Sequence, residues 1–446
     1  MLVQQELLEN GQLSAGFRDP AFGRNRELPL HRWVPWVAGF SAQFVDDCLT
    51  KYLPPNGTRE LCVLDPFAGV GTTLVQSFVR GLNVVGFEIN PYAALASRTK
   101  LNAVMVGPAE FQRNIAAFER FMEARPRAQG DPKTRPPTGF SGRTQLFSPK
   151  VQRKVLFALD FISALDSEEM RDLFRIALGS TMVSFSNYSY EPSLTRRVAV
   201  GKSEIEDADV REVVSAKLSL MLDDIRWLRS EMKQWECDPS HRVLAASIFK
   251  AQDYLKKGSV DLVITSPPYL NNYHYPRNTR PQLHWLGFAS GPGYSGAKEN
   301  ESFGKFWQTV RDLSPTRLYF TLPELAEDLK TIRGLNTEKA SYGGPGWANY
   351  VATYFNDTHR FCGILANALR PKGAAVIVLG NSIIQGVEMR TDQYFGQIAE
   401  LQGLKFEDTI LLRKKRTGSS IIRSSVRVDK AEHKAVLYES AIVLRK

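Results

Sequence analysis

The chain has 446 residues, and its 57 Lys or Arg against 47 Asp or Glu give a formal net charge of +10 at pH 7. Apolar residues make up 43% and charged residues 23%, which is ordinary for globular proteins and excludes a globally disordered chain. No apolar run approaches the ~20 residues of a membrane-spanning helix, and the N-terminal residues lack the basic and apolar pattern of a secretory signal.

Short apolar runs bounded by turn residues predict the strands of a buried, mostly parallel sheet. In chain order, these runs are 60–64, 83–87, the weaker 242–246, 260–265 and 374–379. Helical patterns lie between them, at 73–80, 91–101 and 347–369. Because strands alternate with helices, the sequence predicts an open, doubly wound α/β sheet of Rossmann-like type. Two later apolar runs, 409–412 and 435–444, predict a C-terminal antiparallel hairpin.

Two segments interrupt this alternation and predict insertions into one core. The first, 108–240, opens with a Pro- and Arg-rich stretch and continues with helical patterns, so it is expected to be mainly helical. The second, 270–345, is rich in aromatic residues, Gly and Pro and follows the fourth strand directly. The core is therefore expected to be discontinuous, made of 28–107 and 241–446.

Cysteine usage and charge narrow the class of protein. Cys48, Cys62, Cys237 and Cys362 lie far apart, and the histidines show no HxxxH pair. This predicts reduced thiols in a cytoplasmic protein without a metal site. The excess of positive charge makes nucleic acid a candidate partner, although many other proteins are equally basic.

A glycine turn joins the first strand to the following helix, in 65–73 (DPFAGVGTT). Gly69 and Gly71 let a ligand approach the backbone, and the helix N-terminus offers free N–H groups. The Asp65 carboxylate can engage a cationic or hydroxyl group of that ligand. No Lys follows Gly71, as a phosphate-binding loop requires, and Leu74 stands where a dinucleotide fingerprint has its third glycine. A turn whose glycines serve packing alone is the alternative.

An acidic residue, Glu88, ends the second strand about 20 residues after the glycine turn, which suits hydrogen bonds to ribose hydroxyls. A helix cap or a surface acid is the alternative. The fourth strand runs into Ser266-Pro267-Pro268-Tyr269. Two prolines fix this backbone and remove N–H donors, while the carbonyls and the Ser266 hydroxyl remain as acceptors. With a Tyr269 ring to stack on, the turn predicts a pocket for a planar base that carries an amino group. A rigid Pro-Pro turn is the alternative.

Asp65-x-Phe67-x-Gly69-x-Gly71 together with Ser266-Pro267-Pro268-Tyr269 resembles the amino-methylating DNA methyltransferases. The resemblance covers about 28–107 and 241–446. It includes 370–373 (RPKG) before the fifth strand and 31–44, which resembles the segment that closes over the methionine end of the cofactor. It implies a class I methyltransferase fold, S-adenosyl-L-methionine as cofactor and double-stranded DNA as substrate. A cognate restriction endonuclease or a defence-system protein is the further implied partner, with no membrane contact.

The resemblance also assigns roles to residues. Those implied to bind the cofactor are Asp65, Phe67, Gly69, Gly71, Thr72, Glu88, Ile89 and Asn90. Those implied to be catalytic are Ser266, Pro267, Pro268 and Tyr269. Hydrogen bonds from the target amine to the Ser266 hydroxyl and the Pro267 carbonyl would aim its lone pair at the methyl group.

The resemblance implies that the serine of this motif favours cytosine N4 over adenine N6, and no cysteine lies near either motif to methylate a ring carbon. Methylation of RNA or of a protein amide stays open, as does a catalytically silent nucleic-acid-binding module on the same fold.

A target base inside a duplex must be flipped out to reach such a pocket. The aromatic, amide and basic residues after the pocket, and a basic cluster near the hairpin, suit contacts with DNA. The residues predicted to bind DNA are Asn271, Asn272, Tyr273, Arg277, Arg280, Lys414 and Arg416. A solvated loop is the alternative for both segments. Target choice is predicted to reside chiefly in 270–345 and secondarily in 108–240.

Overall fold

The computed structural model describes most of the chain. The described residues are 17–18, 22–36, 39, 41–54, 60–125, 130–138, 140, 145–191, 193–235, 238–270, 275–289, 300–414 and 437–446. Their strands are β1 Cys62–Asp65, β2 Asn83–Phe87, β3 Tyr188–Tyr190, β4 Leu194–Arg196, β5 His241–Leu244, β6 Val260–Thr265, β7 Leu369–Gly380, β8 Ser382–Ile384, β9 Val387–Met389, β10 Lys405–Lys414 and β11 Tyr438–Arg445.

The longer helices alternate with these strands over much of the chain. They are α1 Ala42–Tyr52, α2 Thr72–Val79, α3 Pro91–Asn102, α4 Pro108–Ala124, α5 Pro149–Ser163, α6 Glu168–Thr181, α7 Val210–Glu231, α8 Arg280–Trp285, α9 Pro323–Arg333, α10 Gly344–Ala368 and α11 Thr391–Leu401. None of the described helices is long and apolar enough to cross a membrane. Within the described ranges, no group of three or more His, Cys, Asp or Glu side chains could hold a metal ion.

A seven-stranded sheet forms the centre of the protein, in the spatial order β10-β11-β7-β6-β1-β2-β5. The pairs between β7, β6, β1, β2 and β5 are parallel, and β11 runs antiparallel to both β7 and β10. This is a doubly wound, mostly parallel sheet of the class I methyltransferase type, with the antiparallel pair at one edge. The predicted fold class is therefore confirmed.

Helices cover both faces of the sheet, which is why its central strands read as apolar runs. On one face, Val63 of β1 and Leu74 of α2 share a hydrophobic cluster with Phe111, Phe174 and Leu218 of the helices between β2 and β5. On the other face, strand residues pack with the long helix α10, with α11 and with the segment after β6. Both segments predicted as insertions thus contribute to the packed core, and their status as separate units stays a prediction.

The ends of several elements depart from the sequence predictions. β7 begins at Leu369, so 370–373 lies inside the strand and does not precede it as predicted. Its start is irregular, since Lys372 has a φ of 69° and the pairing with β6 shifts register after Val260. β5 is shifted toward the N-terminus, and β10 begins at Lys405, ahead of the predicted 409–412. Residues 435–436 of the predicted hairpin lie outside the described residues.

Candidate cofactor and substrate site

The predicted site residues follow three neighbouring strands at their carboxyl ends. β1 pairs with β2 through Asp65 and Gly86, and with β6 through Leu64 and Val263. The glycine turn, Glu88 and the Ser266–Tyr269 turn therefore meet at one edge of the sheet. In doubly wound folds this edge is where ligands bind.

The glycine turn adopts a left-handed backbone that other residues rarely take, with φ 51° at Gly69 and 84° at Gly71. A Cβ on Gly71 would lie 2.9 Å from Ser97 Oγ. From the same face of α3, Ser97 Oγ donates to the Gly69 carbonyl at 2.7 Å, and Lys100 Nζ donates to the Val70 carbonyl at 2.8 Å. These two bonds hold the turn. No side chain caps α2, so its first N–H groups are left for a ligand.

The upstream segment predicted to close over the cofactor lies against this turn. A Cβ on Gly69 would be 3.3 Å from Trp36 Nε1. His31 is buried beside Lys100, and burial lowers the pKa of His31 to about 3 and that of Lys100 to about 7. Burial therefore disfavours the charged form of both side chains, and Lys100 still donates to the turn.

Asp65 links the glycine turn to the end of β6. Its Oδ1 accepts from Thr265 Oγ1 at 2.6 Å and from the Phe67 N–H at 3.1 Å. The side chain is buried, and burial raises the pKa of Asp65 to about 6. The carboxylate is thus occupied by donors of the protein on at least one oxygen, and its predicted contact with a ligand stays a prediction.

Glu88 is bound from two sides at the end of β2. Its Oε2 accepts from the Gly69 N–H at 2.8 Å, and its Oε1 accepts from the Asn90 N–H at 2.7 Å. Although the residue keeps some exposed surface, burial of the carboxyl raises the pKa of Glu88 to about 7. Each oxygen has a second lone pair, so the carboxylate can still accept from ribose hydroxyls.

This pKa leads to a testable dependence of cofactor binding on pH. Protonation of Glu88 removes an acceptor, so we expect affinity for S-adenosyl-L-methionine to fall about tenfold between pH 8 and pH 6. Titration calorimetry at several pH values measures the effect. In Glu88→Gln, affinity is expected to be weaker and to vary less with pH, because only Asp65 and Lys100 of the site then titrate near this range. Identical pH profiles for the two proteins would contradict the assignment.

The remaining predicted cofactor residues surround these two carboxylates. Phe67 packs edge-on against Phe303 and Phe361, with ring centroids 5.3 and 5.2 Å away. Thr72 begins α2 and is buried, and Ile89 is half-buried. Asn90 caps α3 by accepting from the Tyr92 and Ala93 N–H groups.

The turn Ser266–Tyr269, which is predicted to be catalytic and is called the catalytic turn from here on, is anchored at its backbone. Tyr354 Oη, from α10, donates to the Pro268 carbonyl at 3.1 Å, and Ser382 Oγ donates to the Leu270 carbonyl at 2.5 Å. A Cβ on Gly380 would lie 3.6 Å from the Tyr269 ring, so β7 passes close beneath it. Among the described residues, no donor reaches the Pro267 carbonyl, which leaves it as an acceptor for a substrate.

A carboxylate that sequence analysis missed also reaches this turn. Glu439 of β11 is buried, and its Oε1 accepts from Tyr269 Oη at 3.2 Å. Tyr269 Oη in turn lies 3.4 Å from Ser266 Oγ. The available signal was an acidic residue inside an apolar strand run. Ser97, Lys100 and Tyr354 gave no such signal, because their contacts join distant parts of the chain.

The residues predicted to bind DNA are only partly described. Asn271, Asn272, Tyr273 and Arg416 lie outside the described residues, and Lys414 ends β10. Arg277 is exposed on a short helix, Tyr275–Asn278. Arg280 lies over the Phe140 ring, 5.4 Å from its centroid.

The segment after the catalytic turn contacts Asn90 of the predicted cofactor site and the β3–β4 hairpin of 108–240. Asn90 Nδ2 donates to Thr279 Oγ1 at 2.8 Å. One residue earlier, the Asn278 carbonyl accepts from Tyr190 Oη at 2.9 Å, and its Oδ1 accepts from the Leu194 N–H at 3.0 Å. The β3–β4 hairpin, which belongs to 108–240, is therefore a neighbour of the site.

Known proteins resemble this chain in sequence. No protein-family model matches it. Type II methyltransferase M.BsoBI of Geobacillus stearothermophilus is 25% identical over 289 residues, which is 60% of this chain and 54% of that protein. Type II methyltransferase M.MvaI of Kocuria varians is 25% identical over 256 residues, 56% of this chain and 55% of that protein. The chain is similar in sequence to these type II methyltransferases. The predicted resemblance to DNA methyltransferases is thereby confirmed, and the amino-methylating subtype stays a prediction.

The matched regions cover only part of each relative. Type II methyltransferase M.AvaI of Nostoc sp. matches with 24% identity over 283 residues, 60% of this chain and 56% of that protein. The chain thus spans about half the length of the curated relatives it matches. Among solved structures, the rRNA methyltransferase AviRa from Streptomyces viridochromogenes aligns over 92% of this chain and 87% of its own, with 10% identity and a TM-score of 0.31.

Proposed function

We propose that the chain is an S-adenosyl-L-methionine-dependent DNA methyltransferase that modifies the exocyclic amino group of a flipped base, most favourably cytosine N4. One observation carries the proposal. The glycine turn and the Ser266–Tyr269 turn follow adjacent strands, and the bond of 2.6 Å between Asp65 and Thr265 ties them together. A cofactor site and a base site therefore share one rigid edge. The type II methyltransferase relatives support the same reaction class.

The residues present fit the proposed cofactor. The uncapped N–H groups of α2 suit an anionic group, and Glu88 offers acceptors to hydroxyls. When bound, the cofactor supplies a methyl group made electrophilic by a sulfonium. The protein's part is to hold the turn with Ser97 and Lys100 and to exclude water with the upstream segment around Trp36.

The catalytic turn fits an amine that is a poor nucleophile. Ser266 Oγ and the Pro267 carbonyl can both accept from its N–H groups, which favours a pyramidal nitrogen whose lone pair is free to attack. The anchors on the carbonyls of Pro268 and Leu270 fix these acceptors before substrate arrives. Positioning thus replaces a strong base in the first step.

Adenine N6 is the second candidate target, and a catalytically silent nucleic-acid-binding module is the third. The choice of cytosine over adenine depends only on the serine of the motif. The silent module is disfavoured because the turn, Glu88 and the Ser266–Tyr269 acceptors are all assembled at one edge.

Transfer of labelled methyl groups tests the proposal. Protein incubated with labelled S-adenosyl-L-methionine and duplex DNA is expected to label the DNA, and hydrolysis is expected to give N4-methylcytosine. RNA and protein substrates under the same conditions serve as controls. N6-methyladenine would select the second candidate. Cofactor binding without transfer to DNA, across a panel of duplex sequences, would select the silent module.

DNA binding is expected to weaken steeply with salt, because the chain carries a net charge of +10. If about five phosphates are neutralised, the slope of log K against log salt is expected to be about −4 to −5. Fluorescence anisotropy between low and physiological salt measures it. A flat response would show that the positive charge is not used on a phosphate backbone.

We further propose that target choice resides chiefly in 270–345 and secondarily in 108–240. The exposed Arg277 supports the first segment, and the contacts of Asn278 with Tyr190 and Leu194 bring the second beside it. A restriction endonuclease or defence-system protein as functional partner, and a cytoplasmic location, stay predictions.

A further inference from the structure

A directed chain of hydrogen bonds runs from the catalytic turn to β11. Tyr269 Oη lies 3.2 Å from Glu439 Oε1, and Ser266 Oγ lies 3.4 Å from Tyr269 Oη. An ionised carboxylate only accepts, so Tyr269 donates to Glu439 and its oxygen accepts from Ser266. Both hydroxyl protons therefore point away from the amine site and toward Glu439. Catalytic hydrogen bonds are often this long before substrate binds.

Glu439 is held in the interior as a carboxylate. It is 5% exposed, and its other oxygen, Oε2, forms an ion pair with Arg413 of the neighbouring β10. A guanidinium is always charged, so it stabilises the ionised form of Glu439. The following strand residues, Ala441 to Leu444, are buried and apolar. Burying a carboxylate here costs free energy, so its contact with the catalytic turn points to a functional role.

The proposed reaction releases a proton at the Ser266 end of this series of hydrogen bonds. The amine lone pair forms the N–C bond to the methyl group while the S–C bond breaks, and the electron pair of that bond stays on sulfur. The methylated amine is then cationic until it loses one N–H proton. Because the sulfonium has become a neutral thioether, the positive charge can leave the nitrogen only as this proton.

We propose that Glu439 takes up this proton through Tyr269 and Ser266. The amine proton passes to Ser266 Oγ, the Ser266 hydroxyl proton passes to Tyr269 Oη, and the Tyr269 proton passes to Glu439 Oε1. Both hydroxyls are regenerated, and Glu439 ends as a neutral carboxylic acid. Glu439 does not touch the substrate, so it is a positioning residue that acts through Tyr269. The inference rests on the proposed amino-methyltransferase function.

The test compares single-turnover transfer rates of the full chain on DNA. Glu439→Gln keeps an acceptor for the Tyr269 hydroxyl but removes the negative charge. We expect its transfer rate to fall about a hundredfold, with dissociation constants for cofactor and DNA within about twofold of wild type. Glu439→Asp retains the charge and is expected to recover at least about tenfold of that loss. A Glu439→Gln rate within about threefold of wild type would overturn the relay.

A double-mutant cycle tests whether Tyr269 and Glu439 act in one proton relay or affect the transfer rate independently. Tyr269→Phe removes the relaying hydroxyl and keeps the ring. If Tyr269 and Glu439 act as one unit, the double variant is expected to be no slower than the slower single variant. Multiplicative losses would mean that Glu439 only supports the fold, which would also overturn the relay.

β11 offers a matched control pair on its opposite face. Tyr438 Oη donates to Asp392 Oδ1 at 3.0 Å, and Asp392 is buried as Glu439 is. Successive strand residues face opposite sides, so this pair lies away from the catalytic turn. Tyr438→Phe and Asp392→Asn are expected to transfer at near wild-type rate, and losses equal to those of Tyr269→Phe and Glu439→Gln would overturn the relay. If the wild-type protein labelled no DNA, that result would instead contradict the proposed function.

Discussion

Replacing Ser266 or Tyr269 by alanine is expected to slow methyl transfer about a hundredfold or more while affinity for the cofactor stays near wild type. Ser266→Ala removes an acceptor aimed at the amine, and loss of one such positioned group costs about 10²–10³-fold in turnover. Tyr269→Ala removes the ring on which the base stacks, worth about 1–3 kcal/mol, together with its bond to Glu439. Single-turnover label transfer and calorimetry with the cofactor measure the two quantities separately.

Two residues of the same types outside the site serve as controls. Ser259 is half-buried and its Oγ donates to the nearby Lys256 carbonyl, and Tyr319 is 79% exposed. Ser259→Ala and Tyr319→Ala are expected to leave transfer unchanged. If Ser266→Ala and Tyr269→Ala both turned over as fast as these controls, the catalytic turn would have been assigned wrongly.

Gly71→Ala is expected to destroy the cofactor site. Alanine at a φ of 84° costs about 1–2 kcal/mol, and its Cβ would lie 2.9 Å from Ser97 Oγ and 3.2 Å from Ser97 Cα. The turn or α3 must shift, which also disturbs the bond of 2.7 Å that Ser97 donates to the Gly69 carbonyl. We expect affinity for S-adenosyl-L-methionine to fall at least about a hundredfold, the upper range for loss of a charged hydrogen bond.

Gly403→Ala provides the matched control for this strain. Gly403 has a φ of 80°, and a Cβ there would meet nothing within 4 Å. This variant is expected to lower the free energy of unfolding by about 1–2 kcal/mol and to bind the cofactor normally. Thermal unfolding and calorimetry on both variants make the comparison. Equal cofactor affinity in the two would show that the close approach at Gly71 does not shape the site.

The sequence predicted the central strands well because these strands are buried on both faces. β2 and β6 have the predicted bounds, since an apolar run bounded by turn residues is what a covered parallel strand requires. β10 was predicted too short, because Lys405, Glu407 and Asp408 are exposed at the edge of the sheet and hide the strand pattern. A strand that is buried on both faces is thus easier to predict from sequence than a strand exposed at the edge of the sheet.

The candidate site was predictable where one segment carries it and not where distant segments meet. The glycine turn and the Ser266–Tyr269 turn are contiguous motifs, so their placement followed from the strands before them. Glu439 contacts Tyr269 because β11 pairs with β7, and local sequence patterns do not predict which strands pair. The anchoring hydroxyl of Tyr354 depends in the same way on how α10 packs.

The strand order has a consequence for the nascent chain. β11 is made after every other strand of the sheet, yet it lies between β7 and β10. On the ribosome, the outer edge of β7 must wait unpaired until residues 438–445 emerge, and Glu439 emerges with them. A chain interrupted after β10 would expose this apolar edge, which favours aggregation and disposal. The pairing of β11 with β7, which covers this edge, and the arrival of Glu439 beside Tyr269 are therefore one event.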